Sequence, residues 1–147
     1  MIFLFDTNIV LHYLRESPVM QHVKRTYSPF HPDRDCWMSV VSKGELRSIA
    51  LQNKWGLPRL RQLEDLCAQF YLADIFAEDV IDRYAEIDAF SQGKLPNRSL
   101  GLSARNLGKN DLWIAATASV LEATLLTTDA DFDHLHGVYL DVARVVV

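Results

Sequence analysis

The stretch MIFLFDTNIV (residues 1–10) sets four apolar residues, Ile2 to Phe5, directly before Asp6, Thr7 and Asn8, and apolar residues resume at Ile9 and Val10. A short continuous apolar run suits a strand buried on both faces, as in a parallel sheet. Thr7 to Glu16 then carries Ile9, Val10, Tyr13 and Leu14 at helical spacing, so the chain passes from strand to helix at Asp6. An acid at that junction lies at a strand's carboxyl end, the edge where α/β folds bind ligands.

The alternation continues outward from this stretch. Pro18 separates the first helix from one reaching Tyr27, and SPFHPDRD (28–35) is a turn-rich loop. Trp37–Val41 reads as a second strand, followed by Ser42–Asn53, a helix with Leu46, Ile49 and Ala50 on one face, and by a further helix over Leu57–Ala68. Phe70–Phe76 reads as a third strand and Glu78–Phe90 as a long helix. Leu112–Leu121 is an Ala-rich apolar helix that must be largely buried, and Ala123–Leu126, Val138–Leu140 and Arg144–Val147 are further short strands. With no internal repeat or linker, residues 1–147 are expected to form a single α/β domain with a mainly parallel sheet.

Composition narrows the function classes. The 147 residues are 49% hydrophobic with six Gly and five Pro, enough for a substantial core. No apolar run approaches the roughly 18 residues of a membrane span, and no signal peptide is evident, so a cytoplasmic protein with no membrane partner is expected. Cys36 and Cys67 lie in apolar contexts without a CxxC pairing and read as buried, reduced thiols. The five histidines, His12, His22, His31, His134 and His136, lack HExxH spacing, which argues against zinc. Trp37, Trp55 and Trp113 read as packing residues. A net charge of −4 excludes nucleic-acid coating by bulk basicity. Local contacts are still open, because KLPNRSLGLSARNLGK (94–109) holds Lys94, Arg98, Arg105 and Lys109 with no acid. A solvated connection and a phosphate-facing loop fit that segment about equally well.

Three acids distant in sequence converge if the sheet is parallel. Asp6 ends the first strand, Glu45 follows the second by about one helical turn, and Asp129 directly follows the apolar run ATLLTT. Asp111 opens the buried helix and can face the same edge. Singly, each has a structural explanation: Ser42 and Glu45 fit a capping box, Asp111 fits the first helical turn after an Asn110 cap, and Asp6 and Asp129 fit turns or caps. Together, clustered carboxylates repel one another unless a cation neutralises them, and all-oxygen clusters suit Mg²⁺ or Mn²⁺.

At these four positions the sequence resembles the PIN-domain ribonucleases, and most closely the VapC-type toxins of toxin-antitoxin pairs. The motifs are FDTNIVLHYL with Asp6, SVVSKGELR with Glu45, GKNDLWIAATA with Asp111 and LLTTDADF with Asp129, with Asp131 and Asp133 near enough to assist or replace the last. The resemblance implies a PIN-like three-layer α/β/α sandwich and an endoribonuclease in which Asp6, Glu45, Asp111 and Asp129 hold one or two Mg²⁺ or Mn²⁺ ions. A metal-activated water would attack phosphorus, and a carboxylate not fully committed to metal could take its proton.

Thr7, Asn8 and Asn110 are candidates for hydrogen bonds that hold the ligand oxygens, with helix capping about as good an explanation. Arg15, Arg47, Lys94, Arg98, Arg105 and Lys109 are the cations available to RNA. The expected partners are an RNA substrate, a small antitoxin whose Arg or Lys could enter the acidic pocket, and a second copy in a homodimer. The apolar faces from Ile9 to Val23 are a candidate antitoxin groove, and VYLDVARVVV (138–147) is apolar enough for an edge strand or dimer contact, although burial within the monomer is the simpler reading. Two alternatives stand beside the nuclease. A haloacid-dehalogenase-type phosphatase would want a second Asp where Asn8 stands, and a non-catalytic PIN-like scaffold would usually have lost an acid.

Overall fold

Phe3 and Phe5 enter one half of the core and Leu4 enters the other, as the two-residue period of a strand requires. A computed structural model describes residues 1–147. In chain order the elements are β1 (Ile2–Phe5), α1 (Thr7–Leu14), α2 (Pro18–Tyr27), β2 (Asp35–Ser39), α3 (Val40–Gln52), α4 (Leu57–Cys67), β3 (Tyr71–Ala73), α5 (Glu78–Ser91), α6 (Lys109–Leu121), β4 (Thr124–Thr127), a 3-10 helix (Ala130–Leu135) and β5 (Asp141–Arg144).

The five strands form one sheet in the order β3-β2-β1-β4-β5, and every neighbouring pair is parallel. Leu4 lies opposite Trp37 on one side and Leu125 on the other, which makes β1 the central strand. The carboxyl ends of all five strands therefore share one edge. One face is covered by α1 to α4, where Ile9, Val10, Val23, Leu46 and Leu63 meet Phe3, Phe5 and Met38. The opposite face is covered by α5 and α6, whose Ile87, Phe90, Ile114 and Ala118 share a core with Leu4 and Leu125. This is the three-layer α/β/α sandwich with a parallel sheet. Truncating a fully buried ring such as Phe3 or Phe5 to Ala would cost about 3–5 kcal/mol.

Several boundaries differ from the sequence reading. The expected strands Val138–Leu140 and Arg144–Val147 are replaced by β5 between them, because Gly137 has a positive φ of 73° and the N–H groups of Val138 and Tyr139 both donate to the Leu135 carbonyl, forming a turn. Helix α6 begins at Lys109, three residues before its apolar pattern does, since apolar periodicity is blind to a polar first turn. The faces from Ile9 to Val23 are not an open groove: Ile9, Val10, Met20 and Val23 are all buried in the core. Cys36 and Cys67 are both free thiols, and burial pushes Cys36 up to about 12. No helix is long and apolar enough to cross a membrane.

Candidate metal centre

Asp6 leaves β1 in extended conformation and caps α1, so its carboxylate sits where the sheet edge meets a helix N-terminus. It is 5% exposed, and both of its oxygens are occupied. Oδ1 accepts from the Thr7 N–H at 2.8 Å, and Oδ2 accepts from the Thr127 hydroxyl at 2.7 Å. Thr127, the last residue of β4 and fully buried, also accepts the Asp129 N–H on its Oγ1 at 3.0 Å. One hydroxyl thus ties two of the acids together. Sequence spacing does not single out Thr127, whose only signal is its place two residues before the acid in TTDAD.

Thr7 does the equivalent work toward α3. Its Oγ1 lies 2.8 Å from Glu45 Oε1 and 2.9 Å from the fully buried Ser42 Oγ. A hydroxyl has one proton and the carboxylate has none, so Thr7 donates to Glu45 and Ser42 donates to Thr7. The capping box expected of Ser42 and Glu45 is absent: Ser39 caps α3 by accepting the Val41 N–H, which leaves both residues free to face the edge.

Asp111 stands in the first turn of α6, whose cap position is Gly108, so Asn110 lies inside the helix and does not cap it. No protein group donates a hydrogen bond to its carboxylate. Burial, followed by the charges of Asp6, Asp129, Glu45 and Asp131, pushes Asp111 up to about 7. Asp6 is also raised, chiefly by burial and against the pull of its two hydrogen bonds. Carboxylate oxygens of Asp111, Asp129 and Asp131 lie within 4.8 Å of one another. Asp129 caps the 3-10 helix by accepting the Asp131 N–H at 2.9 Å, which holds the exposed Asp131 beside it. Asp133 is turned to a different task, pairing with Arg144 at 3.0 Å.

The other candidates separate in the same way. Asn110 lines a groove of about 510 Å³ together with Glu45, Ser48 and Gln52, whereas the Asn8 side-chain oxygen is buried without a partner. Arg105 lines a second groove of about 610 Å³ that also contains Asp131. Arg98 lies instead over the Tyr139 ring at 4.8 Å, and Arg47 lines an apolar cleft between α3 and α4. Arg15 follows the far end of α1, away from Asp6, and Lys109 is exposed at the start of α6. Trp37 and Trp113 pack against Tyr71 and Tyr84, and Trp55 carries the Arg59 guanidinium at 4.5 Å.

A parallel α/β sandwich that brings carboxylate oxygens of Asp111, Asp129 and Asp131 within 4.8 Å of one another, with Asp6 and Glu45 near enough to be felt at Asp111 but outside that group, defines a class of acidic, oxygen-donor centre suited to a hard divalent cation. A family model described as PIN domain matches residues 3–138, and the chain belongs to that family. Ribonuclease VapC1 of Haemophilus influenzae (strain R2866) is 28% identical over 127 residues, 86% of this chain and 86% of that protein. The VapBC2 structure from Rickettsia felis bound to a DNA fragment from its promoter superposes with a TM-score of 0.73 at 20% identity, covering 99% of this chain and 100% of that one, and shares the fold. The mouse volume-regulated anion channel subunit LRRC8A is 30% identical over 136 residues, but the chain spans 16% of that protein's length. Membership of the PIN family does not favour the phosphatase alternative, and Asn8 stands where that chemistry would want a second Asp.

Proposed function

We propose that this chain is a divalent-cation-dependent endoribonuclease of the VapC type, the toxin of a toxin-antitoxin pair. The observation that carries the reading is Asp111: a carboxylate without a hydrogen-bond donor, surrounded by other acids and pushed up to about 7. That is the signature of a site short of positive charge. The residues fit a cation, since every donor is a carboxylate oxygen and those of Asp111, Asp129 and Asp131 already lie within 4.8 Å of one another. Asp6, Glu45, Asp111 and Asp129 would hold Mg²⁺ or Mn²⁺, with Asp131 beside them. When bound, the ion supplies Lewis acidity at the phosphodiester and neutralises the acids.

The chain's own groups do the rest. Thr127 and the Thr7 N–H fix both Asp6 oxygens, and the Thr7 hydroxyl fixes one Glu45 oxygen, so these two ligands are oriented before substrate arrives. Asp111, unrestrained by hydrogen bonds, is the acid best able to accept a proton from an attacking water.

Control by a small antitoxin belongs to the same reading, and the likeness in fold to a member of the VapBC family of toxin-antitoxin systems from Mycobacterium tuberculosis supports it. The cleft between α3 and α4, with Trp55 and Leu60 in its wall and Leu51 80% exposed at its rim, is the apolar surface we assign to that partner. The reading extends to a homodimer; Val146 and Val147, exposed beyond β5, offer apolar area for it.

The test is cleavage of cellular RNA by the purified chain with Mg²⁺ or Mn²⁺, followed by sequencing of the cut ends. Cleavage is expected at defined positions, lost with chelator and lost in Asp6→Asn and Asp111→Asn. Cleavage that survives chelation, or persists in both variants, would overturn the assignment.

A further inference from the structure

We propose that the groove lined by Arg105, Asn106 and His134 is the subsite for the nucleotide next to the scissile linkage, with Arg105 holding that nucleotide's phosphate. The proposal rests on the nuclease reading above and goes beyond it by assigning one side of the substrate path.

Continuity comes first. Asp131 belongs both to the groove and to the group of carboxylates within 4.8 Å, so a strand whose phosphate sits at the acids has its neighbour in the groove. At about 610 Å³ the space lies within the usual range for a small-molecule pocket and is ample for a base and ribose. Leu102, 57% exposed on its wall, offers an apolar surface to an unstacked base.

Charge comes second. Of the two acids in the groove, Asp133 is answered by Arg144, and Asp131 faces Asp111 and Asp129. Arg105 is in no salt bridge, so its guanidinium is free for an anion. The groove on the other side of the acids, lined by Glu45, Ser48, Gln52 and Asn110, contains no cation. The two flanks are therefore unequal, and phosphate is favoured on the Arg105 side. Arg98, the nearest rival in the loop, is engaged by the Tyr139 ring and the Val138 carbonyl.

The third argument is that the groove is built. Ser91 ends α5, is fully buried, and joins both walls: its carbonyl accepts the Arg105 N–H at 2.7 Å, and its hydroxyl lies 2.7 Å from His134 Nε2. The His134 ring lies nearly parallel to Phe90, at an angle of 10°. Gln92 donates to the Asn106 side-chain oxygen at 3.0 Å. A loop without helix or strand is thus fastened where Arg105 leaves it, which lowers the cost of ordering that side chain on RNA.

The experiment uses the Asp111→Asn chain with Mg²⁺ and a fluorescent single-stranded RNA whose cleavage position has been mapped with wild type. Arg105→Ala should weaken binding about tenfold or more and reduce the salt slope by about 0.7, while Arg105→Lys keeps part of both. Neutral methylphosphonate linkages placed one at a time then locate the contact. The linkage that costs affinity with Arg105 present and costs nothing in Arg105→Ala is the one the guanidinium holds, and it must adjoin the cleaved linkage. Cleavage by wild type with unchanged affinity and KM in Arg105→Ala, or a contact more than one linkage away, overturns the subsite and leaves the nuclease reading standing. No RNA cleavage by wild type with either ion overturns both.

Discussion

The Thr127 hydroxyl donates to Asp6 Oδ2 at 2.7 Å although the two residues are 121 positions apart, and the same oxygen receives the Asp129 N–H at 3.0 Å. The contact exists because β1 and β4 are neighbours, with Phe5 opposite Leu126, so the two strands end side by side. Thr127→Val keeps the shape and removes both bonds. It should cost about 1–3 kcal/mol, because a buried carboxylate oxygen and a backbone N–H lose their partners. Asp6 should rise further, and Mn²⁺ affinity should fall about 10–100-fold. Thr127→Ser should restore most of both. Thermal melts and calorimetric Mn²⁺ titration check this, and a neutral Thr127→Val would mean the bond orients nothing.

Thr7 gives a second test that separates orientation from folding. Thr7→Val removes the hydroxyl between Ser42 and Glu45 while keeping the backbone N–H on Asp6. RNA cleavage should drop about 10–100-fold with a smaller change in RNA affinity, and Thr7→Ser should recover it. Equal losses in Thr7→Ser and Thr7→Val would point to packing of the methyl group instead.

The metal-free protein should lose stability as pH rises from about 4 to about 7. Asp111 has an ordinary value of 3.8 and is pushed up to about 7 in the fold, so over that window the folded chain holds a proton the unfolded chain has released. Its stabilising contribution is full below the unfolded value and is lost through the folded one. Asp6, also raised, acts in the same direction. In Asp111→Asn the decline should be smaller and the melting temperature above pH 7 higher than in wild type. Saturating Mn²⁺ should remove the decline, since the cation takes the proton's place. Melting curves across this range without metal, in both proteins, decide it.

Arg98 and Arg105 should behave differently although both come from the same basic loop. Arg98→Ala removes a guanidinium from the Tyr139 ring and should lower stability by about 0.5–1 kcal/mol with little effect on RNA affinity. A loss of RNA affinity in Arg98→Ala matching that of Arg105→Ala would return the loop to a diffuse basic patch.

Partner capture should depend on the α3–α4 cleft. Leu51 is 80% exposed, so Leu51→Asp should leave the melting temperature nearly unchanged. Co-expressed with the product of the adjacent gene, wild type should co-purify with a small partner and Leu51→Asp should not. Undiminished capture by the variant would move the interface elsewhere.

The sequence by itself determined the alternation of strands and helices and which acids had to reach the carboxyl edge of a parallel sheet. Strand and helix periods are local, so Ile2–Phe5 and Thr7–Leu14 were legible residue by residue, and a parallel sheet then had to bring Asp6 and the acid after β4 to one edge. Asp111 was legible in the first turn of α6, but the start of that helix at Lys109 after a Gly108 cap and the turn at Gly137 escaped because neither carries an apolar period. Only the tertiary structure decided which polar side chains meet. Asp131 and Asp133 are two residues apart and identical in chemistry, yet a 3-10 turn aims one at Asp111 and Asp129 and leaves the other to Arg144. Ser42 reads as a cap and is a partner of Thr7, while Arg98 reads as an RNA contact and lies on Tyr139. Such pairings depend on side-chain direction between elements far apart in the chain, and hydrogen bonds and ion contacts fall off within an ångström or two, a precision that spacing in sequence does not carry.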